Sequence, residues 1–287
     1  MASCFFVSDL HGSKDRFEKL FDCIEKEKPD AVFIGGDVLP SGLYAFTSAY
    51  DEPEVFANDF LATRFTHLKK SLKASFPFIF LIMGNDDGRV YEPLFYSLEK
   101  QGFFYYMHER KRPFLDFDIY GYTTVPPTPF TLKDWEKYDV SRYVDPGCIP
   151  PEEGAFTVDV NLRQLPYETI QKDLEKLTEG EYLGQSIFLF HTPPYQTKLD
   201  RAGLDGKFYE HVPLDVHVGS IAVKRFIEER QPAITLHGHI HESTSITGAW
   251  EDRIGETVCL NASHDGPELA LIRFDPYDMS RTSRELL

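Results

Sequence analysis

Five times along this chain an apolar run of strand length stops at a histidine, an aspartate or an asparagine. The richest case lies near the end, where Ala233 to Leu236 leads into His237-Gly238-His239-Ile240-His241. In an extended or tightly turned backbone, residues two apart point to one side, so the three imidazoles can converge. Imidazole is the usual nitrogen ligand of zinc, iron, nickel and manganese-class ions. The other runs are Cys4 to Ser8 before Asp9-Leu10-His11, and Ala31 to Ile34 before Gly35-Gly36-Asp37. Phe78 to Met83 then precedes Gly84-Asn85-Asp86-Asp87, and Ser186 to Phe190 precedes His191.

Between the runs the period changes. Phe17, Leu20, Phe21 and Ile24 recur at helical spacing, with Ser13 or Asp15 able to cap the start. Phe60, Leu61, Phe65, Leu68 and Leu72 mark a second amphipathic helix. Strand, helix and strand of this length predict a parallel arrangement with right-handed crossovers. Sites in such sheets form beyond the carboxyl ends of the strands, so polar groups far apart in sequence become neighbours there.

Phe103 to Tyr106 and Asp116 to Tyr122 read as further strands. Tyr167, Ile170, Leu174 and Leu177 mark a helix, and Ile221, Phe226 and Ile227 the inward face of another starting near Gly219-Ser220. In the final third, Ser243 to Gly248, Thr257 to Asn261 and Leu269 to Phe274 alternate in polarity and predict a small antiparallel set. From Thr123 to Pro151 six prolines block regular structure. Phe130, Trp135, Tyr138 and Tyr143 favour an ordered, packed insert there, of the kind that forms a lid over a site. We read one domain over 1–287 with a proline- and aromatic-rich insert at about 123–165.

Net charge is −16, and no basic block exceeds Arg110-Lys111-Arg112, so duplex nucleic acid is not an expected partner. An acidic surface also repels anionic substrates at long range, so phosphate chemistry would need local cations. The longest strongly apolar stretch, Phe78 to Met83, is far too short to span a bilayer. Met1-Ala2-Ser3-Cys4-Phe5 lacks a basic region ahead of an apolar core, so no export signal is expected. Four scattered cysteines form no close pair, which predicts a reducing cytoplasmic setting.

Taken in order, Asp9-Leu10-His11, Gly36-Asp37, Gly84-Asn85-Asp86, His191 and Gly238-His239-Ile240-His241 resemble the calcineurin-like metallophosphoesterase family. Its pattern is Asp-x-His, Gly-Asp, Gly-Asn-His, His and Gly-His-x-His. The resemblance spans roughly residues 4 to 275 and implies an α/β fold, a four-layer α-β-β-α sandwich, with two divalent transition metals. Carried over, Asp9, His11 and His241 would hold one metal, Asn85, His191 and His239 the other, and Asp37 would bridge them. This mixed nitrogen and oxygen set without thiolate suits manganese, iron, zinc or nickel. The implied activity is hydrolysis of a phosphodiester or small organic phosphate by metal-activated hydroxide.

The chain departs from the family at Asp86, where the pattern has a histidine able to protonate the leaving oxygen. A carboxylate is the poorer proton donor near neutral pH unless burial or Asp87 raises its pKa. Asp86 and His217 are therefore the candidate catalytic groups, and Arg89 a candidate substrate contact. His264 is undetermined, and His67 and His108 read as surface or packing residues. Two rival readings stand beside the diesterase: a phosphomonoesterase acting on nucleotides or phosphoprotein, and a non-catalytic scaffold of the same fold. Formation of a homo-oligomer stays open.

Overall fold

Core strands of this chain are apolar on both faces because both faces are covered. The computed structural model describes residues 1–40 and 52–287. Its first sheet has the order β14 (Ser283–Leu286), β13 (Ala270–Phe274), β1 (Cys4–Val7), β2 (Ala31–Gly35), β3 (Phe78–Ile82) and β4 (Tyr105–Tyr106). The strands β1 to β4 run parallel, while β13 and β14 are antiparallel additions. A second sheet has the order β11 (Glu251–Ile254), β12 (Thr257–Asn261), β10 (Ile234–His237), β7 (Ser186–Phe190), β6 (Phe117–Tyr122) and β5 (Arg110–Phe114). Here β12, β10, β7 and β6 are parallel, with β11 and β5 antiparallel at the edges. A short hairpin, β8 (Phe208–Tyr209) with β9 (Val212–Pro213), stands apart.

The sheets pack face to face. Cys4, Phe6 and Phe33 from one meet Ile187, Leu189 and Leu236 from the other in a shared buried cluster. The alternate residues Phe5, Val7, Val32 and Ile34 turn outward onto α1 (Lys14–Glu27), α3 (Ala62–Leu72) and α4 (Glu92–Lys100). A short α2 (Pro53–Val55) and a π-helical turn, Phe56–Leu61, lead into α3. On the far side, Phe188 and Phe190 pack against α5 (Ile170–Leu177) and α6 (Ile221–Arg230). The result is the four-layer α-β-β-α sandwich. Ser13 caps α1, accepting from Arg16 N at 3.3 Å, as its position before the apolar period predicts.

Two expectations for the final third are corrected. Ser243–Thr247 is a short helix, α7, ended by Gly248 in the left-handed conformation, and not a strand. Alternation over so few residues does not separate the two periods. The strand β12 joins β10 in parallel, so only β11, β13 and β14 supply the antiparallel character there.

The insert is ordered by polar groups more than by helix or strand. Lys133 and Glu136 form an ion pair, both side chains at most 1% exposed. Thr128 completes it, its N–H and hydroxyl donating to Glu136 at 2.7 and 2.6 Å while its carbonyl accepts from Lys133 Nζ at 2.8 Å. Trp135 Nε1 donates to the carbonyl of Asp87 at 2.7 Å, and Asp134 accepts from the Arg89 N–H at 2.7 Å. The insert is thus bonded to the loop that carries Asn85.

Candidate metal centre

The parallel strands of both sheets run out at one edge, and the polar strand-end residues gather there. Asp9 (φ 57°), His11 (45°), Asp37 (49°) and His239 (74°) all adopt the left-handed backbone conformation. It is uncommon for residues with a side chain and costs on the order of 1–3 kcal/mol each, so neighbouring structure must enforce it. Glycines make the room: a Cβ on Gly36 would lie 2.6 Å from His191 Nδ1, and one on Gly84 would overlap the Asp37 carboxylate.

Donor atoms of Asp9, His11, Asp37 and His241 all lie within 4.8 Å of one another. His11 Nε2 faces His241 Nε2 at 3.1 Å, and His241 Nε2 lies 3.6 Å from Asp9 Oδ1. A second group adjoins the first. His191 Nε2 is 3.0 Å from Asn85 Oδ1 and 3.3 Å from Asp37 Oδ2, and the His239 ring centre lies 5.1 Å from that of His191. Asp37 Oδ2 is also 3.7 Å from His11 Nε2, so this carboxylate stands between the two groups.

The residues fit a cation on electrostatic grounds. His191 Nδ1–H donates to the Gly35 carbonyl at 2.8 Å, which fixes the tautomer and leaves Nε2 facing two oxygens. That cluster of lone pairs calls for positive charge. Burial opposes protonation of His191, yet the charge and hydrogen bonding of Asp37 push it up to about 10. Burial depresses His239 to about 3 and also lowers His11, so neutral imidazoles are available as ligands. Burial alone would raise Asp9, but its hydrogen bond and charge contact with His241 hold it below the carboxylate range.

His237 is corrected out of the cluster. Its Nδ1–H donates to the Thr192 carbonyl at 2.9 Å and its Nε2 bonds Thr235 Oγ1 at 2.7 Å, so both nitrogens are used in the core. The left-handed His239 ends the strand alternation that would have aligned all three imidazoles. Asp86 sits at the rim, 34% exposed, with Oδ2 3.6 Å from His11 Nδ1 and its N–H on Asp37 Oδ1 at 2.9 Å. Partial burial and the charge of Asp37 push its carboxyl up to about 7. Arg89 turns to the insert, stacking 5.1 Å over Trp135 with Nε 3.7 Å from Glu92. His217 Nδ1 bonds Asp200 at 2.8 Å, and His264 bonds Glu268 at 3.0 Å on its own loop.

Several groups that hold the centre escaped the sequence reading. Ser263 Oγ donates to Asp9 Oδ2 at 2.7 Å, and Arg16 Nη1 to the Asp9 carbonyl at 2.6 Å. Asp87, fully buried, accepts from the N–H groups of Val38, Leu39 and Gly84 at 2.7–3.1 Å, tying the Asp37 and Asn85 loops together. Ser263 follows β12 as the ligands follow other strands, so the strand-end rule extended by one strand would have found it.

A model of the calcineurin-like phosphoesterase family matches residues 3–243, a span containing the polar strand-end residues from Asp9 to His241. The chain belongs to the calcineurin-like phosphoesterase family. Hydrolysis of phosphoric esters is this family's chemistry, and it typically uses divalent metals. No curated protein matches the chain in sequence. Among solved structures, one chain at 16% identity gives a TM-score of 0.56 and covers 100% of this chain and 98% of its own. TT1561 of Thermus thermophilus, at 15% identity, gives 0.54 with 99% and 98% covered. These likenesses show the fold alone. An archaeal phosphodiesterase gives only 0.42 at 10% identity, covering 99% of each chain, too distant to bear on chemistry.

Proposed function

We propose that this chain is a binuclear metal-dependent phosphoesterase that hydrolyses a phosphodiester or a similar small organic phosphate. The observation that carries the reading is Asp37, whose carboxylate lies between the His11 side and the His191 side of one donor cluster. Asp9, His11 and His241 would hold one ion, Asn85, His191 and His239 the second, with Asp37 shared. Manganese, iron, zinc or nickel suits this donor set. Two such ions would supply Lewis-acid charge for a phosphoryl group and would acidify water for attack on phosphorus. That local charge offsets the repulsion expected from a chain of net charge −16.

Asp86 itself would not protonate a leaving alkoxide. Its raised pKa depends partly on the negative charge of Asp37. Cations bound at Asp37 would remove that cause and keep Asp86 ionised, a poor donor to an alkoxide. The insert, bonded to Asp87 through Trp135, would narrow the entrance. The four cysteines are unpaired, which supports a reducing, cytoplasmic setting. A non-catalytic scaffold is disfavoured because the full donor set is kept. Elemental analysis of purified protein, coupled to a screen of mono- and diesters, tests the reading. Metal binding with diester turnover is expected; metal-free protein inert to every ester after reconstitution would overturn it.

A further inference from the structure

We propose that His217, held by the buried carboxylate of Asp200, is the acid that protonates the leaving oxygen, the role left open by the aspartate at position 86. This rests on the phosphoesterase reading above. The pair lies on the connection between β7 and α6. Its two arms run antiparallel, Ala202 N–H donating to the Val216 carbonyl at 2.9 Å and Val218 N–H to the Asp200 carbonyl at 3.1 Å.

Three contacts clasp this connection to the ligand loops. Ser220 N–H donates to the carbonyl of Pro193, two residues past His191, at 2.9 Å. Gly203 N–H donates at 3.1 Å to Glu242, which follows His241. Asn261 Nδ2 donates at 3.0 Å to the Leu199 carbonyl while its Oδ1 accepts from Ser263, the residue that bonds Asp9.

Asp200 is itself fixed. Fully buried, it accepts from the backbone N–H groups of Gln196, Thr197 and Gly219 at 2.9–3.2 Å, and its Oδ1 takes the His217 Nδ1–H at 2.8 Å. A carboxylate on Nδ1 sets the tautomer and orientation of an imidazole and leaves Nε2 for proton transfer. The His217 side chain is 26% exposed, and Nε2 has no protein partner among the described residues. The other groups facing the ring are Asp215, which accepts the His217 N–H at 2.9 Å, Tyr195 with ring centres 6.1 Å apart, and Arg201 opposite in the pairing. Asp145 of the insert adds negative charge near Asp215.

As hydroxide attacks phosphorus, the bond from phosphorus to the leaving oxygen breaks and its electron pair takes the Nε2 proton of His217. An alcohol leaves, and solvent restores the proton. The test compares His217→Gln and Asp200→Asn with wild type on glycerophosphocholine, an alkyl diester, and bis-p-nitrophenyl phosphate, an aryl diester. Expected is a loss on the order of 10²-fold on the alkyl ester for His217→Gln, with less than about threefold on the aryl ester. Metal content should stay unchanged. Asp200→Asn should show the same selective loss in smaller measure. Equal losses on both esters, or none on the alkyl ester, would overturn the role of His217. Wild-type protein that binds metal yet cleaves neither ester would overturn this role together with the phosphoesterase reading.

Discussion

The ligand turns and the 123–165 insert meet at the same loop, Asn85 to Asp87, but they are held there by different means. The turns depend on left-handed residues and on glycines packed against ligand atoms, so the backbone itself sets the donor positions. The insert depends on side chains: the Lys133–Glu136 pair, the Trp135 and Asp134 bonds to the loop, and Asp139, which accepts from Ser220 Oγ and the N–H groups of Ile221 and Ala222 at 2.6–3.1 Å. A small backbone change in a turn should therefore disturb the donor cluster and any metal it holds. A large change in the insert should alter stability and access while the donors stay in place.

The sharpest way to break this contrast is Gly36→Ala. Gly36 has φ of 102°, and the added Cβ would meet His191 Nδ1 at 2.6 Å and the Met83 carbonyl at 2.8 Å. Strain and overpacking together should cost up to about 6 kcal/mol and abolish metal binding. Denaturant unfolding and metal analysis check it; a stable, fully loaded Gly36→Ala variant would show that the turns are not set by backbone fit.

Next in size is Lys133→Met, which strands the Glu136 carboxylate in the insert's interior. Loss of one partner of a buried pair should destabilise by about 3–5 kcal/mol. Metal content at low temperature should match wild type. Coincident loss of stability and metal would mean that insert and turns form one unit.

Acid should then destabilise the fold through buried imidazoles that the native state keeps neutral, His108 among them. Burial pushes His108 down to about 3, and its Nδ1 accepts from Thr123 N–H at 3.2 Å beside the Trp135 ring. The folded value lies below the unfolded one near 6.5, so the unfolded state binds more protons between them. This contribution is complete above about pH 6.5 and is lost as pH falls towards 3, by up to about 1.4 kcal/mol per unit. His108→Gln should flatten that part of the stability profile, and an unchanged slope would remove His108 as its cause.

The smallest expected effect is Asp86→His, which restores the family pattern at the rim. With His217 already supplying the proton, alkyl monoesters should gain less than about tenfold and aryl diesters little, because only poor leaving groups need an acid. Equal loss on both would mean that Asp86 serves the Asn85 loop, whose amide nitrogen donates to it at 3.3 Å.

Much of this architecture was legible because it is periodic or local. Apolar runs gave β1, β2, β3, β7 and β10, and the gathering of the polar residues at their ends was readable because parallel strands must end on one side. What was not legible is non-local. Asp139 reaches the start of α6 across 82 positions, and no spacing rule links them. The helix α4 (Glu92–Lys100) and the edge strands β5 and β14 carry mixed polarity and gave no clear period. His237 belonged to the right motif but faces the core, since one left-handed residue ends the alternation.

Elemental analysis of wild type beside Asp37→Ala tests the central claim most directly. A shared carboxylate predicts about two divalent ions per wild-type chain and loss of most of that occupancy in Asp37→Ala. Full loading of both ions without the Asp37 carboxylate would contradict it.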